Sequence, residues 1–176
     1  LFLMSKAGVL EALVGPADLL KLKLLLSLNV ESDALQRFTV LLKGNHKSLQ
    51  ALADKLRFSN KQKDRISVMC EGRVAADMSP EAREVALYEL GSLGFIDQTV
   101  MLWVNLGSQH DLTDYLEDAA KWTAPVLPVN GGDLLAHGMG EGEALGRLLN
   151  QMEARWIDSG FTLSKSELIR EFLSDT

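Results

Sequence analysis

Apolar residues recur at helical spacing along nearly the whole chain, and almost nothing alternates. Residues 2–13 (FLMSKAGVLEAL) and 17–28 (ADLLKLKLLLSL) place Leu at i, i+3, i+4 and i+7, with Gly15 and Pro16 breaking between them. Residues 33–42 carry Leu35, Phe38, Leu41 and Leu42 on one face, and residues 47–57 do the same with Leu49, Leu52 and Leu56. A period near 3.6 sustained over so many segments leaves little room for a sheet. No paired alternating runs joined by Asn-Gly turns occur.

Helix boundaries are written in the local chemistry. Ser59-Asn-Lys-Gln62 and Ser164-Lys-Ser-Glu167 are capping boxes, in which the Ser hydroxyl takes an amide three residues on and the longer side chain reaches back. Ser79-Pro80-Glu81 sets a cap, a first-turn proline and an acid at the positive helix end. Gly44, Gly72, Gly91, Gly107 and Gly160 mark stops. The span 93–106 (LGFIDQTVMLWVNL) has the β-branched and aromatic content of a strand. Its length and the spacing of Phe95, Val100, Trp103 and Val104 favour a buried helix. The expected class is all-α, about ten helices. A bundle-like body over 1–123 is followed by a smaller helical tail over 124–176, the boundary falling in the proline-containing stretch 123–131.

Composition narrows the function. With 47 % apolar and 24 % charged residues, the chain can build a core. A net charge of −6 argues against a non-specific nucleic-acid coat. The longest apolar run is interrupted by Lys21 and Lys23 and is too short for a bilayer span. The single Cys70 allows no internal disulfide and is expected to fill core space. A reducing cytoplasm is the expected compartment, and the opening LFLMSKAGVL has neither a charged leader region nor a cleavage site. Leu1 already sits inside a helical pattern, which leads to the expectation of a piece from a longer protein. Exposed apolar side chains at Leu3, Val9, Leu10 and Leu13 would fit that expectation.

Catalytic and metal signatures are missing. His46, His110 and His137 are scattered, and with one Cys no zinc set can be assembled. No Gly-x-Ser-x-Gly elbow occurs. Glu117 and Asp118 are adjacent and diverge on a helix, and no Asp-x-Asp pair exists to converge on two metal ions. The expected catalytic and metal residues are therefore none, and no cofactor is expected in this chain.

Two stretches suggest phosphate contact. Residues 43–65 hold seven bases (Lys43, Lys47, Lys55, Arg57, Lys61, Lys63, Arg65) against Asp54 and Asp64, opposite in sign to the chain as a whole. Such a concentration suits a polyanion, although charge runs are usually solvated faces. Residues 125–149 (PVLPVNGGDLLAHGMGEGEALGRLL) contain six glycines. No strand precedes Gly138-Met-Gly140-Glu-Gly142, so a dinucleotide fingerprint does not fit. Gly138 and Gly140, then Ala144 and Leu148, match a helix-hairpin-helix turn, whose free amides can face a phosphate. Glu141 and Glu143 oppose an anion there, so a plain glycine-rich helix connection remains an equal reading. Arg147 completes the candidate set at this turn, and Asp133 is expected to cap a helix start.

These stretches carry a resemblance. AGVLEAL (7–13), LQRFTVLLKGN with LADKLRFSNKQKDRI (35–66), PEAREVALYELG (80–91) and the stretch from WTAPVLPVNGGDLLAHGMGEGEALGRLL to SELI (122–169) resemble, in order, the neck end, body and tail of the class II tRNA nucleotidyltransferase and poly(A) polymerase family. These are the CCA-adding enzymes, and the tail is most like the alphaproteobacterial kind. The resemblance implies that catalysis belongs to an N-terminal head domain carrying a Gly-Ser motif and a magnesium-binding Asp-x-Asp pair. No Asp-x-Asp pair occurs in this chain, so the chain alone is expected to be inactive. It implies tRNA as partner, held by the helical body and tail. On this reading Lys43, Lys47, Arg57, Lys61, Lys63, Arg65, Gly138, Gly140, Gly142 and Arg147 contact RNA. A poly(A) polymerase and a stand-alone helical interaction domain remain the alternatives.

Overall fold

The computed structural model describes residues 1–28, 30–42, 46–107 and 110–173. Eleven helices and no strand occur among them, so the protein is all-α. One isolated antiparallel bridge joins Ala17 to Leu42. No described helix is long and apolar enough to cross a membrane. The chain divides into two compact units, Leu1–Trp122 and Thr123 onward.

In the first unit the order is α1 (Phe2–Lys6), α2 (Val9–Val14), α3 (Leu19–Ser27), α4 (Ala34–Leu41), α5 (His46–Lys55), α6 (Asn60–Glu71), α7 (Pro80–Asn105) and α8 (Thr113–Lys121). The opening segment, expected as one helix, is two. Gly8 adopts φ 71° at the start of α2 and interrupts the ladder. Gly91 does not end a helix as expected. It takes φ 68° and ψ 162° inside α7 and kinks it. The ambiguous span 93–106 is helical and lies in the second half of α7. Gly72 ends α6 in the left-handed region, as expected of a C-terminal glycine. The Gly44 stop falls outside the described residues.

The core of this unit gathers on α7. Val74, Ala86, Leu87, Phe95, Leu112, Tyr115 and Ala119 form one buried cluster, with Phe95 and Tyr115 stacked at 6.0 Å. Leu25, Val40, Val100 and Val104 join α3, α4 and α7. Leu49, Ala53 and Ile66 close α5 on α6. Each fully buried Phe or Leu contributes about 1.5–3 kcal/mol. Three consecutive polar residues, Asp97, Gln98 and Thr99, are also buried, and each is satisfied. Gln98 accepts from the Arg73 and Val74 amides and donates to the Val68 carbonyl, which secures the chain leaving α6. Thr99 donates to the Phe95 carbonyl.

Cys70 departs from expectation. It is exposed at the end of α6, not packed in the core. Its sulfur borders a cleft, where partial burial, with Glu71 acting the same way, raises its thiol above the ordinary value. The group therefore stays a protonated thiol at neutral pH.

The second unit has α9 (Gly131–Ala136), α10 (Glu143–Asp158) and α11 (Lys165–Leu173). Helices α9 and α11 both contact α10. Leu134, Met152, Trp156 and Leu168 are buried, and Trp156 meets Phe161 edge-on at 5.0 Å. Asn130 and Asp133 form a reciprocal capping box at the start of α9. Asp133 thus helps cap this helix, as the third residue of the box and not as the N-cap itself. Ser164 and Glu167 do the same for α11.

Candidate nucleic-acid interface

Helices α5 and α6 are joined by a four-residue turn, residues 56–59, and stitched side by side. Gln50 Nε2 donates to the Lys63 carbonyl at 3.0 Å and to Ser67 Oγ at 2.7 Å. The α5 end is closed by the Phe58 amide reaching the Ala53 carbonyl at 2.9 Å, which requires Arg57 to adopt φ 57°. A non-glycine residue in the left-handed region carries local strain. The turn is held because Phe58 packs beneath it, 5.2 Å from Phe38. The Arg57 side chain is left at the surface.

The predicted bases fall into three groups. Lys47, Arg57 and Lys61 are exposed on this hairpin, with Lys55 beside them in α5. Lys63 is half-buried and bridges back to Asp54 at 2.6 Å. Arg65 points inward. Its Nε and NH2 donate to the two Asp97 oxygens at 2.6 and 2.8 Å, and its NH1 to Asp33 at 2.5 Å. Gln36 donates to the same Asp97 at 2.8 Å. Lys43 lies outside the described residues.

Arg65 is therefore the centre of a partly buried network that ties α4, α6 and α7 together. The Asp97 carboxylate, then Asp33, hold its guanidinium above its ordinary value, so it is permanently charged. Burial pushes the Asp33 carboxyl up, but the Gln36 amide, Arg65 and the Leu35 amide outweigh this and leave it below the ordinary 3.8. Arg65, expected among the RNA-contacting bases, is instead committed to this network. Two signals were available: an acid inside the apolar span 93–106, and the Asp33…Gln36 spacing of a capping box, which the structure realises at α4.

The glycine-rich turn has a different geometry. Gly138 adopts φ 87° and Gly142 φ 130°, so both need glycine. Gly140 does not have a positive φ, and a Cβ there would meet nothing within 4 Å. The site at Gly140 therefore has room for a side chain. Gly142 caps α10 without a side-chain hydrogen bond, so the first α10 amides lack a side-chain partner. Arg147 is exposed and pairs with Glu143 at 2.5 Å, and Glu141 is exposed alongside.

His110 is exposed, and His137 Nδ1 lies 2.8 Å from the Asp133 carbonyl. Of the apolar residues in the opening helices, Leu3, Val9 and Leu13 are exposed. Leu10 is buried against Leu22 and Leu41. No group of three or more His, Cys, Asp or Glu side chains able to hold a metal occurs among the described residues.

Comparison with known proteins narrows the class of protein. No family model matches the chain. Over 54 residues it is 35 % identical to the mitochondrial CCA tRNA nucleotidyltransferase 1 of mouse, and equally to that of human. The match covers 31 % of this chain and 12 % of each relative. This similarity supports a relationship to CCA-adding enzymes and a chain related to tRNA nucleotidyltransferases.

Proposed function

We propose that this chain is the RNA-holding part of a tRNA nucleotidyltransferase of the bacterial, alphaproteobacterial-like kind, and that it positions tRNA while a separate head domain adds CCA. The observation that carries this reading is the α5–α6 hairpin. Lys47, Lys55, Arg57 and Lys61 are exposed there in a chain whose net charge is −6. Phosphates of a folded RNA would lie along such a face, each contact displacing condensed counterions. The 54-residue similarity to proteins named CCA tRNA nucleotidyltransferase supplies the RNA class.

The chain's own residues hold and orient. They supply no nucleophile and no Asp-x-Asp pair in the sequence. In this reading magnesium and the nucleotide belong to the head domain, and the exposed Leu3, Val9 and Leu13 suit contact with further protein. The setting is cytoplasmic. Gly138 and Gly142 build the α10 start, and the amides there are offered to a second RNA phosphate, with Arg147 freed from Glu143 on binding.

The test is binding of this chain to a tRNA transcript and to an unstructured RNA of equal length, at low and physiological salt. Preference for tRNA, weakening as salt rises, is expected. Equal affinity for both RNAs would favour a polyadenylating relative, and binding to neither would remove the RNA role.

A further inference from the structure

The second unit contains an open cleft of about 660 Å³ along α11. Its polar lining is one-sided. His137, Lys165 and Arg170 face it together with the Ser164 and Ser166 hydroxyls, and no carboxylate lines it. The two nearby acids stand behind the lining and hold part of it. Asp133 takes the Lys165 ammonium and the Asn130 amide, and Glu167 takes the amide and hydroxyl of Ser164. Arg170 is exposed and makes no hydrogen bond or ion pair among the described residues. The rest of the lining is apolar: Ile169 and Leu173, one helical turn apart on α11.

Three nitrogen-bearing side chains and two hydroxyls beside an aliphatic surface suit a ligand that is anionic at one end and apolar at the other. A guanidinium recognises phosphate oxygens in bidentate fashion. An aliphatic surface takes the face of a base, with the His137 imidazole beside it as a stacking partner. Inorganic phosphate would leave Ile169 and Leu173 unused, and an apolar ligand would leave Arg170 unpaired. We propose that this cleft binds a nucleoside monophosphate unit, contributed by an unpaired nucleotide of an RNA strand, with its phosphate on Arg170, its base on Ile169 and Leu173, and Lys165 shared between the phosphate and Asp133. Naming RNA as the source rests on the function proposed above, whereas the cleft's chemistry requires only the nucleotide. The site is separate from the α5–α6 hairpin in sequence and in residues.

The test is NMR titration of the full 176-residue chain, labelled at Ile and Leu methyls, with AMP, adenosine, inorganic phosphate and a short single-stranded oligoadenylate. AMP and the oligonucleotide are expected to shift Ile169 and Leu173 at millimolar concentration or below, and more strongly than adenosine or phosphate. Arg170→Ala, a substitution at an exposed side chain with no hydrogen-bond partner among the described residues, should weaken AMP binding about tenfold, the equivalent of one charge-assisted pair. Lys23→Ala, an exposed substitution on α3 with no assigned role, should leave AMP binding unchanged. If AMP shifts the cleft but the oligonucleotide does not, the assignment to RNA is overturned and a free nucleotide is the ligand. If AMP leaves Ile169 and Leu173 unmoved, or Arg170→Ala binds AMP as well as the parent, the cleft proposal fails. The tRNA-binding comparison is read separately on Lys61→Ala, so the two readings can fail independently.

Discussion

Arg65 and Lys61 are one helical turn apart on α6, and their surroundings give them opposite tasks. Lys61 is exposed, whereas Arg65 is consumed by Asp97 and Asp33. A fully buried carboxylate cannot go unpaired without a cost of several kcal/mol, so Asp97 claims the nearest cation that can give it two hydrogen bonds. Position along a helix does not decide whether a base is free for a ligand. What decides it is whether a buried acid lies on the neighbouring helix. The same contrast separates the two glycine positions in the tail. Gly142 is held in a conformation other residues resist, while Gly140 sits in open space with ordinary backbone.

The largest effect should come from breaking the Arg65 network. Asp97→Ala leaves a charged guanidinium without its main partner and should lower the unfolding free energy by about 3–5 kcal/mol, read by urea denaturation. A loss no greater than that of Lys61→Ala, expected within about 0.5 kcal/mol, would erase the distinction between the two residues. The glycine comparison is sharpened by a pair of substitutions. Gly142→Ala forces a side chain onto φ 130° and should cost about 1–3 kcal/mol. Gly140→Ala should change stability by less than about 0.5 kcal/mol, and equal losses would contradict the geometry.

The smallest effect concerns acid. The folded Asp33 carboxyl titrates below its ordinary 3.8, so its contribution is present above that value and is lost as pH falls through the lowered one. Urea midpoints measured from neutral pH down past 3.8 should fall less steeply in Asp33→Asn than in the parent. Asp33 is half exposed, so solvent screening keeps the difference small. An unchanged pH profile would show that Asp33 is not part of the network.

Much of the fold was legible because helical period, caps and stops are local. Ser59, Ser79 and Ser164 start helices where their side chains predict. Gly8 and Gly91 were less legible. A glycine in a helical pattern can end, split or kink the helix, and packing decides which. The eleven helices against about ten follow from the split at Gly8. The charge concentration at 43–65 was visible in the sequence, but its division into exposed Lys61, bridged Lys63 and inward-facing Arg65 was not. That division depends on Asp97, thirty-two residues beyond Arg65, and on the packing of α6 against α7. The cleft along α11 was invisible for a similar reason. His137 and Arg170 are far apart in the chain, and only the fold of the second unit brings them to one cavity.

The most direct test of the central claim is the salt dependence of tRNA binding, comparing the parent chain with a Lys47→Ala, Arg57→Ala, Lys61→Ala triple variant. All three side chains are exposed, so the fold should persist, which thermal unfolding can verify. If the hairpin is the interface, the slope of log K against log salt should shrink in magnitude by about 2.7, at about 0.9 per phosphate contact. A slope equal to that of the parent, with tRNA still bound, would place the RNA elsewhere on the molecule and contradict the account.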